Sequence, residues 1–153
     1  SIIDDIFEAA KKNSCLISYP EDVVVGKSMD DKAIIKELSE VSNDDLILDI
    51  GPKTIKKIKD IIERSETILW NGPVGYFENP NFANGCYEIT KKIIEKNEKN
   101  QIYSIAGGGD TIAVLNQMNA LNNFDFVSTA GGAFLEYLEG KDLPGIKALS
   151  KNV

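Results

Sequence analysis

The residues best suited to chemistry lie between Ser104 and Asn116. There an apolar run, Ile102 to Ala106, stops at Gly107-Gly108-Gly109, and Asp110-Thr111 opens a helical pattern of Ile112, Leu115, Met118 and Leu121. This spacing predicts a strand, a tight turn and a helix start. Glycines let the backbone approach a ligand closely and take positive φ, and the first N–H groups of the helix point into the same space. Such a corner suits an anion, above all a phosphate. Asp110, at its mouth, is placed to ligate a Mg²⁺ ion bridging phosphate oxygens. The alternative is an ordinary β-to-α turn capped by Asp110 or Thr111.

Three more apolar runs end in glycine turns: Leu46 to Ile50 at Gly51, Thr67 to Trp70 at Gly72, and Phe124 to Thr129 at Gly131-Gly132. As parallel strands they would bring all four turns to one rim, beyond the carboxyl ends where open α/β sheets bind ligands. Asn71 could hydrogen-bond a phosphate or simply shape its turn. Trp70 reads as core, and Glu78 as a solvated carboxylate in a polar turn. The loops match neither Gly-x-x-x-x-Gly-Lys-Ser/Thr nor a first-strand Gly-x-Gly-x-x-Gly fingerprint.

Composition narrows the chemistry. The chain has 153 residues, 42% of them hydrophobic, enough for one soluble globular domain. Its net charge of −7 argues against nucleic acid or an anionic membrane as partner. There is no histidine, which removes Ser-His-Asp and Cys-His catalysis and leaves only a hard, oxygen-bound metal such as Mg²⁺. Arg64 is the only arginine, so a bidentate arginine clamp is almost excluded. Cys15 and Cys86 read as buried free thiols of a reducing compartment. No signal peptide is visible, and no apolar run approaches a membrane span.

The elements that must position these residues follow from periodicity. Helices are expected over Ile2 to Asn13, from Pro52 through Ile62, over Asn84 to Lys99, after Asp110, and over Ala133 to Leu138, with a weak one from Lys32 to Leu38. Cys15 to Tyr19 is predicted to be a buried strand closed by Pro20. Glu21 to Asp31 reads as a loop or small β excursion around Val23 to Val25, and the stretch from Leu143 as a tail. Strand and helix alternate about five times, and the strands are continuous apolar runs. The expected fold is therefore α/β, a Rossmann-like parallel sheet with helices on both faces.

Several segments can then be matched to a known family. Trp70-Asn-Gly-Pro-Val-Gly-Tyr-Phe-Glu78 with Phe82-Ala-Asn-Gly85, Ala106-Gly-Gly-Gly-Asp-Thr111, Phe126 through Glu136 with Leu143-Pro-Gly, and Leu48-Asp-Ile-Gly-Pro52 resemble, in order and spacing, segments of the phosphoglycerate kinases. That family has two Rossmann-like domains joined by a hinge, one binding Mg-ADP or Mg-ATP and the other 3-phosphoglycerate or 1,3-bisphosphoglycerate. The resemblance implies that this chain is the later part of the nucleotide domain, without the substrate domain, the Gly-Gly-x-Lys segment or the catalytic lysine. It implies that Leu48 and Tyr76 line the adenine pocket and Glu78 binds the ribose. Asn71 and Pro73 would run along the phosphates, Gly107, Gly108, Gly109, Asp110 and Thr111 would hold them, and Asp110 would bind Mg²⁺. Gly131 and Gly132 would serve catalysis by donating amides to the moving phosphoryl group.

The implied reaction is the glycolytic transfer between 1,3-bisphosphoglycerate and ADP, in a cytoplasmic, monomeric intact enzyme, with the isolated chain inactive and prone to self-association through its cut sheet. A stand-alone, non-catalytic nucleotide-binding module is the alternative. Two departures stand out: Ala130 replaces the first of three glycines, and Tyr76 a small aliphatic residue.

Overall fold

Three consecutive valines, Val23 to Val25, form the centre of the first sheet. Strand β1 (Asp22–Gly26) is buried along its whole length, flanked by β2 (Ile34–Glu37) and β3 (Leu46–Ile50), both antiparallel to it. This computed structural model describes residues 1–150. The small β excursion expected around Val23 is thus a central strand, and the weak helix expected from Lys32 to Leu38 is instead β2. The β-branched pair Ile34-Ile35 favours the strand, and its backbone groups pair with β1. Asp45, just before β3, gathers the sheet's far end by ion pairs to Lys27 at 2.9 Å and Lys36 at 2.6 Å.

The second sheet is parallel, in the order β4 (Thr67–Asn71), β5 (Tyr103–Gly107), β6 (Phe126–Ser128). Helix α3 (Asn84–Glu98) joins β4 to β5, and α4 (Gly109–Gln117) joins β5 to β6. The α/β class holds, with a parallel sheet flanked by helices. It differs from the expected single sheet in the placement of β3. β3 belongs to the antiparallel sheet, so its terminal Gly51 does not lie on the parallel rim. Gly51 has a local reason to be glycine: a Cβ there would sit 2.3 Å from the Asp22 carboxyl carbon.

Cys15 to Tyr19 is not a strand. An extended segment needs partners for its backbone groups, and no strand pairs with it among the described residues. Leu16 is consequently 80% exposed, and Cys15 is exposed rather than buried, whereas Cys86 is buried as expected.

Helix α1 (Ile2–Lys12) starts with a Ser1–Asp4 capping box but buries none of its residues. Helix α2 (Pro52–Arg64), with Pro52 in its first turn, packs against α3 and β1 and buries Ile55 and Ile62. Its N-cap residue, Gly51, has no side chain to offer, and the buried Asp22 replaces it. One Asp22 oxygen accepts from Lys53 N at 3.0 Å and the other from Thr54 N at 2.8 Å. The main core gathers Ile93, Val114 and Leu115 against Trp70 and Ala106, positions where truncation to alanine typically costs about 2–5 kcal/mol.

The pleat sends Trp70 and Ala106 to this helix-covered face and the row Leu69, Ile105, Phe126 to the other. On that second face Leu69, Tyr103 and Phe126 stay 40%, 51% and 49% exposed. Helix α5 (Gly132–Leu138) reaches only its rim, and α6 (Pro144–Ser150) stands where a tail was expected. Among the described residues no helix is long and apolar enough to cross a membrane.

Candidate nucleotide site

Parallel strands end on one side, so the turns after β4, β5 and β6 meet at one rim. The β4 and β5 turns are locked together. Gly72 N donates to Thr111 Oγ1 at 2.7 Å, and Thr111 is fully buried. Asn71 Oδ1 lies where a Cβ on Gly108 would come within 2.9 Å of it, and Gly108 has φ of +89°, so both space and backbone demand glycine. Trp70 is core, as expected, and its indole N–H closes its own turn by donating to Gly72 O at 2.7 Å.

The β6 turn joins the same group through Phe134 of α5, whose ring lies 3.2 Å from the position of a Gly107 Cβ. Gly131 takes positive φ, 51°, as the N-cap of α5, and Gly132 begins the helix. Ala130 is not among the positive-φ residues, so the missing glycine costs no backbone strain. Added side chains at Gly109, Gly131 and Gly132 would meet nothing within 4 Å. The rim is open there.

Asp110 is exposed in the first turn of α4, whose N-cap is Gly108 with no side-chain cap bond. It is therefore not the N-cap. Three or more metal-ligating side chains do not converge anywhere among the described residues. A single exposed carboxylate would serve Mg²⁺ only as one ligand of a shell completed by water or by a ligand's own oxygens.

The other expected contacts lie along and beside the Asn71–Phe77 loop. Leu48 packs with Val24, Phe82 and the half-buried Tyr76 in a small second cluster. Leu48 O accepts from Tyr76 N at 2.6 Å. Pro73 is half-buried between corner and cluster, and Glu78 is exposed just beyond. The Asn71–Phe77 loop thus links corner and cluster, whereas Gly51 lies on neither. A groove of about 510 Å³ lined by Pro52, Ile55, Lys56, Lys59, Asp60, Glu63 and Lys92 shares no residue with this rim, and the Lys92–Glu63 ion pair spans it.

Sequence reasoning missed Asp49. It is 2% exposed beneath the loop; Oδ1 accepts from Ile50 N and Oδ2 from Gly85 N, each at 2.8 Å. Helix α3 has Ala83 at its N-cap and no side-chain cap bond of its own, so Asp49 caps it from β3. Burial pushes the Asp49 carboxyl above the usual carboxylate range, and the two amides only partly offset this. The available signal was a lone acid inside the apolar run Leu46 to Ile50. Burial also raises the Cys86 thiol, although the Val74 and Gly75 amides pull against it.

Comparison with known proteins identifies the family. The phosphoglycerate kinase family model matches residues 1–141. A phosphoglycerate kinase of Zymomonas mobilis is 44% identical over 149 residues, covering 96% of this chain and 38% of the relative. One from Legionella pneumophila is 49% identical over 144 residues, covering 93% and 35%. The solved phosphoglycerate kinase of Coxiella burnetii superposes with a TM-score of 0.87 at 38% identity, covering 97% of this chain and 38% of that one. The Pyrococcus horikoshii enzyme superposes at 0.76 with 29% identity, covering 97% and 37%. The chain spans little more than a third of the length of these relatives, and with a family match over most of its residues it belongs to the phosphoglycerate kinase family.

Proposed function

We propose that this chain carries the Mg-nucleotide side of a phosphoglycerate kinase, the later part of its nucleotide domain. The whole protein would move a phosphoryl group reversibly between 1,3-bisphosphoglycerate and ADP, giving 3-phosphoglycerate and ATP, as a cytoplasmic monomer in glycolysis and gluconeogenesis. The observation that carries this reading is the Gly72–Thr111 bond, which joins two separate glycine loops into one corner with Asp110 exposed beside it.

The residues divide the nucleotide among themselves. Leu48 and Tyr76 offer an apolar wall for the base, and Glu78 offers carboxylate acceptors to the ribose hydroxyls. Asn71 and Pro73 flank the phosphate chain, and Gly107 to Thr111 present the open start of α4 to it. Asp110 would hold Mg²⁺, which when bound draws negative charge from the phosphate oxygens. Gly131 and Gly132 would direct amides at the phosphoryl group in transfer, where fixed donors act with little reorganisation. The acyl-phosphate substrate would be held outside this chain, so the chain alone should not turn over.

A coupled assay on the pure 153-residue chain with Mg-ADP and 1,3-bisphosphoglycerate tests this division. No ATP should form. Turnover by the chain alone would overturn it.

A further inference from the structure

We propose that Asp49 is a positioning residue for the base side of the site: its buried carboxylate sets the path of the Gly75–Phe77 end of the loop, so that Tyr76 and Glu78 face adenosine. The proposal rests on the nucleotide reading above and concerns a residue that touches no nucleotide. Three observations converge on it. Both carboxylate oxygens are committed, one to Ile50 N and one to Gly85 N. Gly75 lies directly against the carboxylate, because a Cβ there would sit 2.3 Å from Oδ1. The next amide, Tyr76 N, is tied to Leu48 O on the strand that carries Asp49. A side chain at Gly75 and the carboxylate cannot occupy the same space, so the loop passes at backbone distance from β3. Tyr76 then has one place to go, the cluster of Val24, Leu48 and Phe82.

The phosphate corner does not depend on this contact. It is held separately, by Gly72 and Thr111. Asp49 should therefore affect the recognition of adenosine and not that of the phosphates. Asparagine in its place keeps the shape but has one acceptor oxygen, so one of the two buried amides would face an NH₂ group. Asp22 supplies the control. It is a carboxylate of like exposure that caps the neighbouring helix α2, and among the described residues it makes no hydrogen bond to the loop.

The test titrates Asp49→Asn, Asp22→Asn and the unaltered chain with adenosine and, separately, with Mg-pyrophosphate, following backbone amide resonances well below each melting temperature. Asp49→Asn should weaken adenosine binding about tenfold through loop displacement, leave Mg-pyrophosphate binding unchanged, and shift the Gly75 to Glu78 amides but not those of Gly107 to Thr111. Asp22→Asn should lower the melting temperature and leave both affinities alone. If Asp49→Asn does not fold, Gly75→Ala, which pushes the loop from the other side, should show the same selective loss. Equal loss for both probes, or unmoved Gly75 to Glu78 amides, would overturn the proposal. If the unaltered chain binds neither probe, the nucleotide reading itself fails. The amide shifts of Asp49→Asn then still decide whether Asp49 sets the loop.

Discussion

Gly72 N donates to Thr111 Oγ1 at 2.7 Å across 39 positions of sequence. One hydroxyl thereby fixes the distance between the turn that ends β4 and the turn that opens α4. Two glycine turns that could each be simple punctuation become a single rigid corner.

Thr111→Val keeps the shape of the side chain and removes the acceptor, stranding the Gly72 amide beside a buried residue. A fully buried unpaired donor costs about 1–3 kcal/mol, and the half-buried Gly72 amide belongs at the lower end of that range. Urea unfolding should show a loss in that range at unchanged slope. An unaltered midpoint would mean that the bond contributes nothing to the corner.

Gly108→Ala and Gly109→Ala separate strain from ligand access. At Gly108 the positive φ and the Asn71 oxygen both oppose a methyl group, and destabilisation of about 1–3 kcal/mol is expected. At Gly109, in open space at the start of α4, alanine should leave stability equal or slightly higher while weakening Mg-ADP binding. Thermal melts paired with calorimetric titration distinguish the two; equal destabilisation would contradict the assignment.

The two buried capping aspartates should give opposite pH responses. For Asp22, burial raises the pKa, but the amides of Lys53 and Thr54, the Thr54 hydroxyl and the Lys53 charge outweigh it, and the net shift is downward. Its ionised form is favoured on folding. That contribution is present above the unfolded pKa of about 3.9 and is lost as pH falls through the lower folded value. Asp49 is shifted upward, so its contribution is greatest below about 3.9 and is lost as pH rises through the higher folded value. Stability measured across the acid range should fall less steeply on acidification in Asp22→Asn and more steeply in Asp49→Asn than in the unaltered chain. Parallel curves for all three would refute the opposed shifts.

Much of this was legible beforehand. Leu46 to Ile50, Thr67 to Trp70 and the helices at Pro52 and Asn84 announce themselves by run length, period and punctuation. The glycine corner did so by residue type. What was hidden is long-range. Asp22 lies more than 30 positions from the helix start it caps, and so does Asp49, and nothing local in Gly51 or Ala83 says that a cap is supplied from elsewhere. Strand β1 is buried on both faces and β2 is largely exposed, so neither shows the alternation that marks a half-buried strand. Cys15 to Tyr19 has the composition of a strand, but composition does not supply a partner.

The open sheet face carries its own expectation. Leu69, Tyr103 and Phe126 leave an apolar patch that water covers poorly. Sedimentation of the 153-residue chain should show mass rising with concentration, and Tyr103→Lys should reduce it. A monomer at every concentration would refute this.

The most direct measurement is titration of the chain with Mg-ADP, with ADP alone and with Mg-ADP against Asp110→Asn, followed by backbone amide resonances. A nucleotide site at this rim predicts saturable shifts at Gly72, Gly107 to Thr111 and Tyr76, stronger with Mg²⁺ than without. The Mg²⁺ dependence should be lost in Asp110→Asn at an unchanged melting temperature, because Asp110 is exposed and is not the α4 cap. Shifts confined to the lysine-lined α2 groove, or none at millimolar nucleotide, would contradict it.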